Sequence, residues 1–440
     1  MPERMPEHEP ERTLIKGVRV VDPAGGRDET ADVLVDDGRI ALVGAVSSPK
    51  GASVLDAEGL VLAPGLVDLH AHLREPGRED KETIETGSRA AAAGGFTAVA
   101  AMANTDPVAD NPAVIVEVRG QAARAGLCDV FPVGAITKGL GGEEMAAIGE
   151  MAEIGVRIFS DDGRTVPSAR TLRNALQYAR AFDAVIAEHC EEPSLVEGSQ
   201  MHEGYASYTL GLAASPAEAE EIVVFRDLSL ARLTGGRLHL CHLSAAGSVE
   251  LVRQAKAAGL RVTAEVTPHH LTFTDDDLSS YDTNFKMNPP LRTAEDRATL
   301  RAALADGTID VVATDHAPHA VEEKDAEFDQ APPGTIGFET ALAAVLTHLV
   351  EPGLLSLPRA IEAMSTTPAR LLGASDQGGP IEPGRVANLV LFDPAAEWVV
   401  EPPFVSKSRN SAFIGSTLRG RVVHTLYRGE LVVADGKPQR

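Results

Sequence analysis

Two histidines one residue apart, His70 and His72, stand in the run GLVDLHAHLREPG, with Arg74 and a Pro-Gly turn just behind them. On a strand, residues i and i+2 share a face, and two neutral imidazoles so placed can hold one borderline metal such as zinc. An H-x-H pair alone fits two hydrogen-bonded strand histidines equally well. Other apolar runs end in groups of the same chemistry. FSDDG offers Asp161 and Asp162, AEHCEE offers His189, CHLS offers His242 and ATDHAPH offers Asp315. Four histidines and two aspartates are too many donors for one tetrahedral zinc and suit two metals sharing a bridge. Two such ions can hold a hydroxide at neutral pH and polarise the carbonyl it attacks. The donor set points to metal-assisted hydrolysis.

Positioning these side chains requires strands that all end on one rim. Eight apolar, β-branched or alternating runs fill the middle of the chain: LVDLHAHL, TAVAAMANT, VFPVGAIT, VRIFSDD, AVIAEHCE, LHLCHLS, RVTAEVTPHH and IDVVATDHAPH. Alanine-rich stretches of helical period separate most of them, such as TIETGSRAAAAGG, TLRNALQYARAF and SVELVRQAKAAG. Strand then helix, eight times, predicts a (β/α)8 barrel over residues 65–380, an α/β fold whose sites form at the C-terminal ends of the strands. Residues 13–64 and 381–440 read differently, as short strands punctuated by Gly and Asp with no helical period. Each piece is too small for its own core. Together they are expected to make one composite β-sandwich. A helical tail, LPRAIEAMSTTPARLLG, leads back to it.

Composition narrows the function classes. A formal net charge of −24 over 440 residues argues against nucleic acid or an anionic membrane as partner. An anionic substrate then needs its own cationic pocket. Hydrophobic residues make up 44% and aromatics only 4%, so Ala, Val and Leu must fill the core. Three cysteines, Cys128, Cys190 and Cys241, with no C-x-x-C pair, fit a reducing, cytoplasmic setting. No apolar run reaches membrane-spanning length. The opening MPERMPEHEPER lacks an apolar signal region, and residues 1–12 are expected to be a disordered tail.

The motifs DLHAHLREPG, ATDHAPH and KSRNSAFIG, with MANTDP, FSDDG, HCEE, TPHHL, KMNPPLR and GFET in order between them, resemble the amidohydrolase superfamily. Within it they are similar to the dihydroorotase family of the long bacterial type, from about Leu14 to about Asp435. The resemblance implies two zinc ions per chain. His70, His72 and Asp315 would hold one and His189 and His242 the second, with a carboxylate bridging both. Many relatives bridge with a carbamylated lysine on strand four. Here that strand reads VRIFSDDG, and Arg157 cannot carry a carbamate because its guanidinium stays protonated. The motif's position points to Asp162 as the bridge; Asp161 remains open, with a loop-capping role as its default.

The same resemblance implies substrate contacts. Arg74, on the face of His72, would clamp a carboxylate in a bidentate fork. Asn104 would add an amide donor and His319 would complete the anion pocket. Asn288 and the backbone at Pro333 and Gly334 would read the ring's amide edges. The implied activity is the reversible cyclisation of N-carbamoyl-L-aspartate to L-dihydroorotate in pyrimidine synthesis, with Asp315 as general base and acid. A homodimer is the expected assembly, and association with aspartate transcarbamoylase is possible within the family. Two alternatives stand beside this one: a hydantoinase or allantoinase, and a non-catalytic scaffold for the transcarbamoylase. Alternation turns Cys190 and Cys241 towards the helix layer. His269 and His270 are expected outside the ligand set, and His239, His348 and His424 show no partner pattern.

Overall fold

Eight short parallel strands occupy the middle of the chain, each within one residue of one of the apolar runs: β1 (Leu66–Ala71), β2 (Phe96–Ala101), β3 (Asp129–Pro132), β4 (Ile158–Ser160), β5 (Val185–Glu188), β6 (Arg237–Leu240), β7 (Val262–Val266) and β8 (Val311–Val312). The structure is a computed structural model and describes residues 12–46, 49 and 51–440. Apart from Arg12, the expected N-terminal tail lies outside the described residues. β1, β2 and β3 pair in that order, as do β4, β5, β6, β7 and β8. Parallel bridges from Gly134 to Phe159 and from Ala71 to His316 join the two sets. The eight strands therefore close into a barrel, the α/β fold that strand–helix alternation calls for.

Helices follow the strands where the alanine-rich stretches stand. Ile84–Ala93 starts at the Thr83 cap and Pro112–Ala125 at the Asn111 cap. Ala169–Ala179 starts at Ser168, and Ala294–Asp306 has a Thr293–Asp296 capping box. Such side chains satisfy N–H groups that the first helical turn leaves unpaired. Small side chains fill the barrel: Val67 and Leu69 of β1, Ala98 and Ala100 of β2, Val185 and Ala187 of β5. Helix Thr367–Leu372 sends Ala369 and Leu372 into the same cluster and plugs the end where the strands begin. The other end is left to polar groups.

Both ends of the chain enter one nine-stranded sheet. Its centre is the antiparallel pairing of Val61–Pro64 with Leu389–Val399. Side chains alternate across it with period two. Leu62, Leu389 and Leu391 face one core with Ile15, Val20 and Val33. Val61, Ala63, Val390 and Phe392 face the barrel's helix layer. The rim carries elements that the sequence reading does not assign, among them a two-stranded pair, Met201–His202 with Ala214–Ser215. Among the described residues no helix is long and apolar enough to cross a membrane. All three cysteines are free and buried.

Two departures from plain alternation position the site. β1 shifts register between Asp68 and Ala71. There the buried Asp68 carboxylate accepts the backbone N–H of His70 at 3.2 Å and of Thr314 at 2.9 Å. Val67 and Leu69 point into the barrel below the shift, while Ala71 and Leu73 join the outer layer above it. His70 and His72 thereby turn inward together. On β6, Leu238 and Leu240 face outward and Cys241 faces inward. The expectation for Cys241 is thus corrected. The strand ends at Leu240, and His242 has a left-handed φ of +30°, which brings it to the inside as well.

Candidate active site

At the C-terminal mouth of the barrel the structure brings together His70, His72, Asp162, His189, His242 and Asp315. His70 Nε2 lies 3.2 Å from Asp162 Oδ1 and 3.7 Å from Asp315 Oδ1. His72 Nε2 lies 3.4 Å from Asp162 Oδ2 and 3.0 Å from Asp315 Oδ1. His242 Nε2 stands 3.3 Å from Asp162 Oδ1, and His189 Nδ1 3.8 Å from the same oxygen. Asp162 is therefore central. It shares one donor group with His70 and His72 and another with His189 and His242.

Three of the four imidazoles are fixed from outside by an acceptor. His70 Nδ1 meets Glu265 Oε1 at 2.7 Å, His72 Nδ1 meets Asn104 Oδ1 at 3.0 Å, and His189 Nε2 meets Glu191 Oε2 at 2.8 Å. An ionised carboxylate or an amide oxygen only accepts, so in each ring the outer nitrogen carries the proton. In the neutral forms of these three rings the inner nitrogens then present lone pairs to the centre of the cluster. His189 Nδ1 and His242 Nε2 are only 3.1 Å apart, and His70 Nε2 is buried with no hydrogen-bond partner. Such a cluster is suited to positive charge among its inner atoms. The electrostatics agree. Burial alone would lower the His70 imidazole, but Asp162 and Glu265 raise it well above its ordinary value. Burial alone would raise the Asp162 and Asp315 carboxyls, and the surrounding histidines hold both below the usual carboxylate range. The donor set fits two borderline divalent cations that share Asp162.

Asp161 does something else. Its carboxylate accepts the backbone N–H of Ile136 at 2.8 Å and of Thr137 at 2.9 Å, together with the Thr137 hydroxyl, and so ties the loop after β3.

The anion side is built on β1 and β8. Arg74, at φ +63°, donates Nε–H to the Pro318 carbonyl at 3.2 Å, and its guanidinium makes no other hydrogen bond among the described residues. Burial lowers its guanidinium to about 10, so it stays charged at neutral pH. The guanidinium edge is available for a carboxylate. His319 is engaged on both nitrogens: Nε2 donates to the Pro333 carbonyl at 2.9 Å and Nδ1 faces Lys81 Nζ at 3.3 Å. Burial, then the charges of Arg74 and Lys81, push it down to about 3. It is a neutral wall of the pocket.

The backbone at Pro333 and Gly334 is engaged within the protein. The Gly334 N–H donates to the Lys286 carbonyl at 2.8 Å, and its own carbonyl accepts Lys324 Nζ at 3.1 Å. The Pro333 carbonyl holds His319. Asn104 likewise supports His72, with Nδ2 against the Asp162 carbonyl at 3.4 Å. Asn288 and Pro333 line a cavity of about 490 Å3 that opens beside His189, with Arg164, Lys286 and Glu191 around it.

Sequence reasoning missed Glu265, Glu191 and the role of His239. His239 Nε2 meets Glu265 Oε2 at 3.0 Å, so one carboxylate joins His239 to His70 and also accepts the His242 N–H at 3.2 Å. Glu265, in VTAEV, and Glu191, in HCEE, each stand one or two residues from a quoted motif feature. An acid among apolar strand residues was the signal available.

A histidine–carboxylate cluster at the mouth of a (β/α)8 barrel, with a companion β-sheet from both termini, defines the amidohydrolase class of hydrolases. The family description "Dihydro-orotase-like" matches residues 59–248, and "Amidohydrolase family" matches residues 232–433. A dihydroorotase from Pelotomaculum thermopropionicum is 52% identical over 425 residues, covering 96% of this chain and 99% of the relative. One from Mycobacterium tuberculosis is 51% identical over 428 residues, covering 96% and 99%. Among solved structures, the L-hydantoinase (dihydropyrimidinase) from Arthrobacter aurescens superposes with a TM-score of 0.87 at 29% identity, covering 97% of each chain. The chain belongs to the dihydroorotase family of the amidohydrolase superfamily.

Proposed function

We propose that this chain interconverts N-carbamoyl-L-aspartate and L-dihydroorotate with two zinc ions, and that the cluster around Asp162 is where the chemistry occurs. His70, His72 and Asp315 would hold one ion, His189 and His242 the other, and Asp162 would bridge them. When bound, such a pair makes water nucleophilic at neutral pH and polarises an amide carbonyl. The observation that carries the reading is the convergence of four inward imidazole nitrogens on two carboxylates, three of the rings having their outer nitrogen engaged by an acceptor.

The chain's own groups supply the rest. Arg74 receives the substrate carboxylate on its free guanidinium edge. His319 and Asn288 bound the ring, and Asn104 orients His72. In the hydrolytic direction Asp315 takes a proton from the attacking water and passes it to the departing ring nitrogen; in synthesis the order reverses. Its Oδ1, 3.0 Å from His72 Nε2, points into the cluster from the end of β8.

We read residues 65–380 as the catalytic barrel and 13–64 with 381–440 as the sandwich beside it, in a cytoplasmic homodimer. Light scattering of the purified chain measures the last point, with and without added aspartate transcarbamoylase.

The test is carbamoyl-aspartate cyclisation with metal analysis of the isolated chain. Measurable turnover with about two zinc per chain is expected. Asp315→Asn is expected to lower kcat by about a thousandfold with folding intact. Near-normal turnover in that variant, or hydantoin hydrolysed in preference to dihydroorotate, would overturn the reading.

A further inference from the structure

The segment KSRNSAFIG, Lys407–Gly415, holds none of the groups assigned above. It lies between the sheet strands Leu389–Val399 and Thr417–Tyr427, yet its polar side chains reach the barrel rim. At its start, the Ser406 hydroxyl donates to Glu82, and the Lys407 N–H donates to Glu82 Oε1 at 3.2 Å. The Ser408 hydroxyl donates to the Lys81 carbonyl at 2.8 Å. These contacts tie it to the loop that begins with Arg74. Two residues on, Asn410 reaches the other side of the mouth. Its Oδ1 accepts the His319 N–H at 3.0 Å, and its Nδ2 donates to the Ala317 carbonyl at 2.9 Å and the Gly334 carbonyl at 3.1 Å. Its own carbonyl accepts the Ile336 N–H at 2.8 Å.

We propose that Asn410 is a positioning residue for the carboxylate end of the site, the centre of a strap that stitches three rim loops into one pocket. The inference rests on the ring-closing reading above. Asn410 is buried and uses its amide in both senses, which no other side chain of that length can do. The loops it joins have no slack. Gly334 has φ +128°, and a Cβ there would come 2.8 Å from the Ala317 Cβ and 3.2 Å from His319 Nε2. Without the amide, the loop after β8 and the loop at Gly334 keep their direct contacts, such as the Ala317 N–H to the Thr335 carbonyl at 2.9 Å, but lose the point that ties both to the strap. Asp315, its backbone fixed at the strand end, keeps its place in the cluster. The strap therefore acts on the grip for the substrate carboxylate and leaves the reacting centre alone. Because that carboxylate is present in both substrate and product, the effect falls equally on both directions of reaction.

The test compares zinc-loaded full-length wild type with Asn410→Asp, Asn410→Ala and Ser408→Ala. Asn410→Asp keeps the acceptor for His319 but sets a carboxylate oxygen against two carbonyls. Both Asn410 variants are expected to raise KM about tenfold or more in each direction, with kcat changed far less. Zinc content should match wild type. Two binding probes separate the pocket from the fold. Orotate, which carries the carboxylate, should bind about tenfold more weakly, while acetohydroxamate, which lacks one, should bind as it does to wild type. Unchanged KM, a fall in kcat at constant KM, or equal weakening of both probes would overturn the proposal. Should the Asn410 variants fail to fold, Ser408→Ala decides the matter through the same split, a raised KM supporting the strap and an unchanged one refuting it. A wild-type chain that does not cyclise carbamoyl aspartate overturns the ring-closing reading itself and is recognised as that separate failure.

Discussion

Adjacent aspartates at the end of β4 offer the sharpest test of the site. Asp161→Ala removes a carboxylate that holds the Ile136 and Thr137 N–H groups at 2.8 and 2.9 Å together with the Thr137 hydroxyl. The hydroxyl can rotate, and it also accepts the Gly142 N–H at 2.9 Å, so it is not stranded. The two backbone donors are. Each buried donor left without a partner costs about 1–3 kcal/mol. Against that, Asp161 is itself held in the fold at a cost, since burial raises its carboxyl above the ordinary value despite those hydrogen bonds. A net loss of about 3 kcal/mol follows. For a chain of this size that is roughly 3–6 °C in apparent midpoint at one scan rate. Asp161→Asn keeps an oxygen for both N–H groups and should lose less than half as much.

Asp162→Ala should behave in the opposite way. Among the described residues the Asp162 carboxylate accepts no backbone N–H and pairs only with histidines of the cluster. Because no backbone donor is stranded, the metal-free variant should melt closer to metal-free wild type than Asp161→Ala does. Its zinc content after dialysis should fall from two to one or none, because the shared ligand is gone. Scanning calorimetry of metal-free protein and elemental analysis of reloaded protein read the two quantities independently. An Asp161→Ala variant that loses zinc at an unchanged midpoint, while Asp162→Ala keeps both ions, would refute the division of roles.

Three further outcomes follow from the same geometry. Glu265→Gln can satisfy every hydrogen bond that Glu265 makes while removing its charge, so a chromophoric chelator competition should show zinc held about 10–100-fold more weakly at an unaltered midpoint of the metal-free form. Dialysis against a strong chelator should abolish activity yet leave the far-ultraviolet circular dichroism intact, since the apolar clusters of the barrel involve no ligand, and zinc should restore turnover. His202 accepts from Arg292 Nη1 at 3.1 Å, and burial, then the Arg292 charge, lower it to about 4. Its unfolded value is about 6.5, so between those limits the unfolded state binds more protons and stability rises with pH. Acidification through that window should destabilise the wild type more than His202→Gln, as urea midpoints at pH 7 and 5 would show.

Much of this was legible in the linear sequence because two simple periods carry it. All eight barrel strands coincide with the apolar runs to within a residue, and the capped helices fall in alanine-rich stretches between them, since burying a face imposes those patterns on any sequence that does so. Pairing of the two terminal pieces was legible for a negative reason: neither could bury its own apolar face. The donors on the rim were visible as ionisable residues just past each run. Partners of those donors were not. Glu265 sits within β7 among apolar neighbours and is distant in sequence from His70, His239 and His242, so nothing local marks it as their common acceptor.

Alternation failed at the register shift in β1 and again past the strand ends. Arg74, His242 and Asp315 all have left-handed backbone, at φ +63°, +30° and +45°. Such conformations cost a non-glycine residue of order 1–3 kcal/mol and persist only where the surroundings hold them. Here each lies two or three residues past the end of its strand, and at His242 the turn brings in a side chain that a regular strand would have sent elsewhere. That explains the error over Cys241. A reading that keeps period two through His242 puts its neighbour outside, whereas a left-handed residue at 242 lets Cys241 and His242 both face in. The same argument gives the strap its purpose. Strained strand ends cannot hold their own loops in register, and Asn410, reaching in from the terminal sheet, anchors the two that carry His319 and Gly334. The chemistry is set at the strand ends, and the grip on the substrate is set by what is tied across them.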